Sequence, residues 1–168
     1  SANKSDINKI PSEFAGVAAG DVKVRFRLAK TVRKNTKTRS LRTKKKKKKA
    51  STGGIDATNP AQNLNIWIVG DMGGVLGYAT FPESAGLWND GSVLAATYTG
   101  VTGATSPYNL GRTATHEVGH YLNLRHIWGD GTCATDYVDD TPPQTKSNGG
   151  SPSYPLMQTC GGVSRSVM

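Results

Sequence analysis

Hydrophobic and polar positions alternate most regularly near the start of the chain. From residue 21 onward, basic side chains separate four apolar residues, namely Val22, Val24, Phe26 and Leu28. A period of two residues is typical of a strand with one buried face, so we predict a strand over residues 21–28. Residues 64–69 form a near-continuous apolar run between turn residues, which predicts a central strand.

The apolar pattern predicts two more strands and one long helix. Residues 76–81 end at Pro82 and include Gly77, which suits an edge strand that another backbone approaches. Residues 92–99 are predicted to form a further strand. Residues 110–122 follow as a helix, and four of its apolar residues are predicted to pack beneath the sheet: Leu110, Val118, Tyr121 and Leu122.

Four residues within this helix or shortly after it carry the candidate chemistry. They lie in the order H-E-x-x-H-x-x-x-x-x-H and are His116, Glu117, His120 and His126. Residues four apart share one face of a helix, so His116 and His120 can bind one metal ion. Catalytic zinc takes three protein ligands and leaves a position for water. Glu117 is then placed to accept a proton from that water.

The third histidine decides between this interpretation and a plain helix with two solvated histidines. A continuous helix would carry His126 away from the other two, so the chain must turn, and Asn123 readily takes the left-handed conformation that ends a helix. All three histidines of the chain lie in this motif. A zinc site completed by a later Glu has no candidate, because no Glu follows Glu117.

These residues resemble the metzincin zinc metallopeptidases, whose usual motif has Gly at the position of Asn123. Residues 108–113 (YNLGRT), 127–131 (IWGDG) and 138–142 (VDDTP) narrow the resemblance to the pappalysin family and its secreted bacterial members. The resemblance is strong over residues 59–160, weaker over residues 10–30 and absent around the lysine run.

The resemblance implies an α+β, metzincin-like fold. A twisted mixed sheet with an edge strand on the cleft would pack on the zinc-binding active-site helix, and a loop-rich C-terminal subdomain would follow. We expect residues 1–168 to belong to one catalytic domain, with an N-terminal subdomain over about residues 1–126 and a C-terminal subdomain over residues 127–168.

The function implied by the resemblance is secreted zinc-dependent hydrolysis of peptide bonds. Glu117 would be the general base, and protein or peptide substrates would pair antiparallel with the edge strand. The residues expected at this rim are Gly77, Tyr78, Ala79 and Thr80. Several relatives prefer a basic residue just after the cut, and the same preference is expected here.

The resemblance also predicts segments that this chain lacks. Metzincins have a Met-turn beneath the zinc site, and Met168 falls just short of its expected place while Met157 comes too early. The first strand and helix of the family would precede Ser1. The missing segments are expected partners of this chain. An alternative hypothesis is therefore a zinc-binding but inactive fragment.

The net charge of +9 has a local source. Residues 44–49 are six consecutive lysines, and without them 15 basic residues face 12 acidic ones. A polybasic module that binds polyanions is the third hypothesis. We favour a solvated loop over residues 31–58, because dense like charges repel one another and no aromatic residues interleave with the lysines. We therefore expect no specific nucleic-acid partner, and no apolar run is long enough for a membrane span.

Cys133 and Cys160 are the only cysteines, so one intramolecular pairing is possible. Two free thiols in a cytosolic protein are the alternative. A disulfide formed in an oxidising compartment is favoured, because both residues lie in loop-rich sequence and the resemblance implies secretion.

Oxygen donors cluster after the zinc motif, at Asp130, Asp136, Asp139, Asp140 and Thr141. Such donors suit Ca²⁺, although an acidic solvated turn has the same composition. Members of the family bind structural calcium in this region. On that basis we predict Asp136, the carbonyl of Asp139, and Thr141 as calcium ligands.

Overall fold

The computed structural model describes residues 12–17, 23–36, 48–70, 72–149 and 159–160. The chain divides into two compact units, Ser1–Arg33 and Lys34–Met168. In the first unit, Ser12–Val17 form a 3₁₀ helix, and the described residues from 23 onward are irregular and exposed.

The strand predicted over residues 21–28 is wrong for its described part. Residues 23–28 have no regular structure, and 43% of Val24, 64% of Phe26 and 82% of Leu28 are exposed. Residues 21 and 22 lie outside the described residues. Alternation fixes which face of a strand would be apolar, but a strand also needs a hydrogen-bonded neighbour. Within the described part of the chain, residues 23–28 have no such neighbour assigned to them.

Three strands form one mixed sheet: β1 (Ile66–Val69), β2 (Gly77–Ala79) and β3 (Ser92–Ala95). The order is β1-β3-β2, with β1 parallel to β3 and β2 antiparallel to it. The edge position predicted for residues 76–81 is therefore confirmed. In the described sheet β3 lies in the centre, so among the described strands the central position predicted for residues 64–69 is not found.

The burial of β3 explains this exchange of roles. All four of its residues are buried, whereas Ile66 and Ile68 of β1 are exposed. A strand that is covered on both faces does not show alternating apolar and polar residues, but a continuous apolar run. Because Ser92 and Ala95 are small, β3 did not show such a run in the sequence. The strand is also shorter than predicted, because Ala96–Tyr98 turn into a 3₁₀ helix.

The core lies on one face of this sheet. It contains Trp67, Met72, Val93 and Ala95, with Tyr78 packed against it. The indole Nε1 of Trp67 donates to the carbonyl of Ile55 at 2.8 Å, so the largest core side chain also satisfies its polar atom.

The single α-helix that the structure describes, α1, spans Arg112–Tyr121 and packs against β2 and β3. Its buried residues are Thr113 and Glu117, four positions apart on the face toward the sheet. Leu110 and Leu122 are exposed, so the prediction that they pack beneath the sheet is wrong. A hydroxyl and a carboxyl group therefore occupy the face toward the sheet.

The lysine run is not a uniform solvated coil. Lys48 is buried, with only 2% of its surface exposed, and Lys49 is partly buried. The prediction of a solvated loop is thus wrong for these two residues, while residues 44–47 lie outside the described part. Charge density alone does not show which lysine of a run finds carbonyl and aromatic partners.

The chain beyond α1 is loop-rich, as predicted. Between residues 122 and 149 the structure describes no further helix or strand, and Gln144 forms an isolated bridge with Thr159. Cys133 and Cys160 form the predicted disulfide. The α+β fold class is confirmed. None of the described helices has the length and hydrophobicity that crossing a bilayer requires.

Candidate metal centre

The end of α1 brings the third histidine back to the first two. Asn123 has a φ of 75°, in the left-handed region predicted for it. The amide of Leu124 donates to the carbonyl of Gly119, and the amide of Asn123 to that of His120, both at 2.9 Å. These two bonds define a Schellman motif, which ends the helix and reverses the chain.

The three imidazoles converge through their Nε2 atoms. These nitrogens are 3.0 Å apart between His116 and His120, 3.1 Å between His120 and His126, and 3.3 Å between His116 and His126. Three nitrogens on a tetrahedral zinc, each bound at about 2.0–2.1 Å, are about 3.4 Å apart. The histidines therefore fit a zinc ion, and among the described residues they are the one group of three or more His, Cys, Asp or Glu side chains whose ligand atoms converge in this way.

Hydrogen bonds at Nδ1 fix the tautomers of two of the rings. Nδ1 of His120 bonds the carbonyl of Leu124 at 2.7 Å, and Nδ1 of His126 bonds Oδ1 of Asp130 at 2.5 Å. A carbonyl and a carboxylate can only accept, so Nδ1 carries the hydrogen in both rings. The lone pair of each neutral ring then lies on Nε2, the nitrogen that faces the cluster.

Aromatic packing restricts the rotation of the same two rings. Trp128 stacks on His126 with centroids 4.2 Å apart and planes 6° from parallel. Phe81 lies against His120, with centroids 5.4 Å apart. The rings are thus held by packing as well as by hydrogen bonds, which preorganises the cluster.

Glu117 is buried beside the cluster, with 5% of its surface exposed. Burial raises its pKa from 4.5 to about 7, and the neighbouring His126 partly offsets this rise. Burial, followed by His120 and His126, lowers the pKa of His116. Oε2 of Glu117 has no hydrogen-bond partner among the described residues. Such an atom is able to accept a proton or a hydrogen bond from a bound molecule.

A groove of ≈ 460 Å³ opens beside this carboxyl. The groove is lined by residues in or near β2 and by residues in or near α1. They include Val75, Leu76, Gly77, Tyr108, His116 and Glu117. Its wall is largely apolar, with Glu117 as its one carboxylate. The edge strand and the helix therefore enclose a common space next to the histidines.

The edge strand presents only part of its main chain to this space. The amide of Thr80 donates to Gly91, and the carbonyl of Leu76 accepts from Ala95, so both residues point toward β3. Main-chain groups alternate along an antiparallel strand, and Tyr78 therefore points the same way. Gly77 and Ala79 have their N–H and C=O groups on the free edge.

The predicted calcium residues lie in one tight turn. Asp136 is buried, and its Oδ1 accepts the amide of Val138 at 3.1 Å. The amide of Thr141 donates to the carbonyl of Val138 at 3.2 Å, and Asp139 lies between them. Asp130, counted in the sequence as a further oxygen donor of this region, instead bonds His126.

Sequence reasoning did not assign roles to Asp130, Trp128 or Leu124 in the metal centre. A carboxylate four residues after the third histidine was the available signal, and its position within an acidic stretch concealed it. No pattern identifies Leu124, because its carbonyl is the group that acts.

Comparison with protein families supports the geometry. A family model described as pregnancy-associated plasma protein-A, peptidase M43, matches residues 52–165. Extracellular metalloprotease 1 of Coccidioides posadasii (strain C735) is 46% identical over 96 residues, which make up 53% of this chain and 34% of that protein. An extracellular metalloprotease of Verticillium alfalfae is 40% identical over 101 residues, covering 54% and 35%. The chain thus spans about a third of these relatives.

Solved structures show a similar fold. Mature mirolysin of Tannerella forsythia, in complex with a cleaved peptide, has a TM-score of 0.86 and 39% identity, covering 100% of this chain and 67% of that one. Mirolysin in complex with a compound has a TM-score of 0.87 and 40% identity, covering 98% and 67%.

Proposed function

Because this chain belongs to the pappalysin family of metallopeptidases, peptidase M43, we propose that it forms the zinc-binding part of a secreted endopeptidase. The substrates are proteins or peptides. Secretion agrees with the disulfide between Cys133 and Cys160 and with the names of the relatives as extracellular metalloproteases.

The convergence of three Nε2 atoms next to a buried carboxyl carries this proposal. Histidines packed for stability alone do not turn three lone pairs to one point, and a cluster of this kind fits a metal. His116, His120 and His126 are the proposed zinc ligands. When bound, zinc polarises a water and the scissile carbonyl.

Glu117 moves the proton in this scheme. Its Oε2 accepts a proton from the attacking water while the new C–O bond forms. The same carboxyl then gives the proton to the amine that leaves as the C–N bond breaks. The wall formed by β2 keeps Glu117 in a dry setting, in which proton transfer competes less with bulk water.

The substrate backbone pairs with the free edge of β2. The sequence predicted four contact residues at this rim, and the strand register favours Gly77 and Ala79 for the main-chain bonds. Tyr78 and Thr80 support the strand, since their main-chain groups bond toward β3. Mirolysin, a structure of which holds a cleaved peptide, is similar to this chain over the same strand and helix.

A preference for a basic residue after the cut stays a prediction that the family resemblance supports. Glu117 is the only carboxylate lining the groove among the described residues, and Arg112 lines the same groove. A peptide library cleaved by the purified protein and read by mass spectrometry tests it. Cuts without enrichment of Lys or Arg on the carboxyl side would remove the preference without affecting the peptidase proposal.

Zinc content and cleavage of a quenched fluorescent peptide, measured together, test the proposed function. We expect about one zinc per chain in the wild type and in Glu117→Ala, because Glu117 is not a ligand. Cleavage should fall by a factor of about 10² or more in Glu117→Ala, since general-base catalysis contributes at least that much.

The outcomes separate the peptidase from the alternatives. Zinc binding without cleavage in the wild type would support the inactive fragment instead. Equal cleavage by wild type and Glu117→Ala would contradict the proton-transfer role.

Retention on heparin tests the polyanion-binding module. If the module exists, replacement of Lys44, Lys45, Lys46 and Lys47 by Ser should abolish the retention.

A structural calcium ion at Asp136, the carbonyl of Asp139, and Thr141 also stays a prediction. Its support is the family resemblance together with a buried carboxylate at the start of a tight turn. Calcium added to chelator-treated protein should raise the melting temperature, and Asp136→Asn should abolish this rise. Equal rises in both proteins would place the ion elsewhere.

A further inference from the structure

Lys48 is a buried lysine that the proposed chemistry does not use. Only 2% of its surface is exposed, and its ammonium donates to the carbonyls of Asn89, at 2.5 Å, and Gly91, at 3.1 Å. Burial of an ammonium ion is costly unless hydrogen bonds and opposite charge compensate it. Asp90, between these two residues, is buried as well, and its carboxylate bonds Thr80 and Gly86.

The ammonium also contacts the sheet. It lies 4.8 Å from the ring centroid of Trp67 on β1 and 5.4 Å from that of Tyr78 on β2. Gly77, the neighbour of Tyr78, faces Glu117 on α1. Adjacent residues of a strand point to opposite faces, so Lys48 supports β2 from the face away from the metal centre.

The turn held by Lys48 also fixes the end of the edge strand. The amide of Thr80 donates to the carbonyl of Gly91 at 3.1 Å, and the amide of Gly91 donates to the hydroxyl of Thr80 at 2.8 Å. The carboxylate of Asp90 accepts from that hydroxyl at 3.2 Å and from the amide of Gly86 at 2.9 Å. These bonds join the turn to the end of β2 and to Gly86.

Gly91 leaves this turn little freedom to move toward β1. Its φ is 123°, and a Cβ at this position would lie 2.1 Å from the carbonyl oxygen of Asn65. The carbonyl of Gly91 accepts from both Lys48 and Thr80, so the ammonium and the last residue of the rim share one acceptor.

We propose that Lys48 is a positioning residue for the substrate rim. Its ammonium fixes the turn at residues 89–91, and this turn fixes the register and direction of β2, with which the substrate backbone pairs. The inference rests on the proposed peptidase function. It assigns to Lys48 a role that Lys49, the other described lysine of the run, does not share.

Kinetics of a peptide that extends several residues to both sides of the cut test this role. Lys48→Met keeps the length of the side chain and removes its donors, and Lys49→Met is the matched control, because the ammonium of Lys49 lies over the ring of Trp88 instead. We expect KM to rise about tenfold in Lys48→Met, as for the loss of roughly one substrate hydrogen bond. The value of kcat should stay within about twofold, because ground-state and transition-state binding weaken equally. Zinc content and all constants of Lys49→Met should match the wild type.

Unchanged KM in a folded Lys48→Met protein would overturn the proposal, even if its melting temperature falls, because the residue would then be structural only. A protein that cleaves no peptide in any form points to failure of the proposed function. Hydrogen exchange of the wild type tests the proposal if no form of the protein cleaves peptide or if the variant does not fold. The amides of Thr80 and Gly91 should exchange as slowly as those of β3, and exchange as fast as in the exposed residues 73–75 would overturn the proposal.

Discussion

Gly77 and Glu117 fit together only because residue 77 has no side chain. A Cβ at this position would lie 2.9 Å from both Cγ and Oε1 of Glu117 and 3.0 Å from the carbonyl oxygen of Val93. The edge strand therefore passes directly over the carboxyl that is proposed to move the proton. The strand proposed to bind substrate and the helix proposed to carry the general base meet at this contact.

Replacement of Gly77 by Ala should impair catalysis without removing the metal. The new methyl group must displace the carboxyl of Glu117 or the strand, and a displacement of about 1 Å can reduce the rate about 10²-fold. We expect kcat/KM to fall by about that factor while zinc content stays at wild-type level. Gly70→Ala is the matched control, since no atom lies within 4 Å of a Cβ at residue 70. Full activity in Gly77→Ala would show that the carboxyl tolerates the methyl group.

Two substitutions of Asn123, by Gly and by Val, should have different effects on the free energy of unfolding. Its φ of 75° is strained for most residues and free of strain for Gly. Asn123→Gly should therefore retain or raise the free energy of unfolding, by up to about 1 kcal/mol. Asn123→Val should lower it by about 1–2 kcal/mol, because a β-branched residue is least compatible with this conformation. Urea unfolding of both variants measures the difference, and equal stabilities would contradict the assigned role of the turn.

The metal centre was the most predictable part of the molecule, for a physical reason. Helical spacing places His116 and His120 on one face, and the conformational preference of Asn123 explains how His126 returns to them. Both rules act over a few residues, so the sequence alone is sufficient. The disulfide was predictable because only two cysteines exist.

The errors of sequence reasoning concern longer-range partners. The alternation over residues 21–28 could not show whether a neighbouring strand pairs with it, and the described part is irregular. Lys48 looked like the other lysines of its run, because its carbonyl partners lie about forty residues away in sequence. Asp130 looked like one of several acidic residues until the turn placed it on His126.

Removal of the metal should destabilise the protein. A ligand that binds only the folded state stabilises it by about 4 kcal/mol when its free concentration is about 1,000 times the dissociation constant. We expect a chelator that strips zinc to lower the melting temperature of wild type and Glu117→Ala alike, with recovery when zinc is returned. A chelator selective for calcium serves as the control that separates the two metals. No change in melting temperature on zinc removal would contradict a zinc-bound fold.

Asp130 should control the affinity for zinc without touching the ion. Its carboxylate accepts from Nδ1 of His126, which keeps Nε2 free and the ring oriented. Loss of such an outer partner typically costs 10–100-fold in metal affinity; Asp130→Asn keeps an acceptor oxygen but removes the negative charge, so a decrease of about tenfold is expected. Competition with a coloured chelator measures the dissociation constant directly, and excess zinc should restore most of the activity. Asp140→Asn is the matched control, because Asp140 is exposed and carries the same charge. Equal zinc affinities in the two variants would show that His126 is held in place by the stacked Trp128 alone.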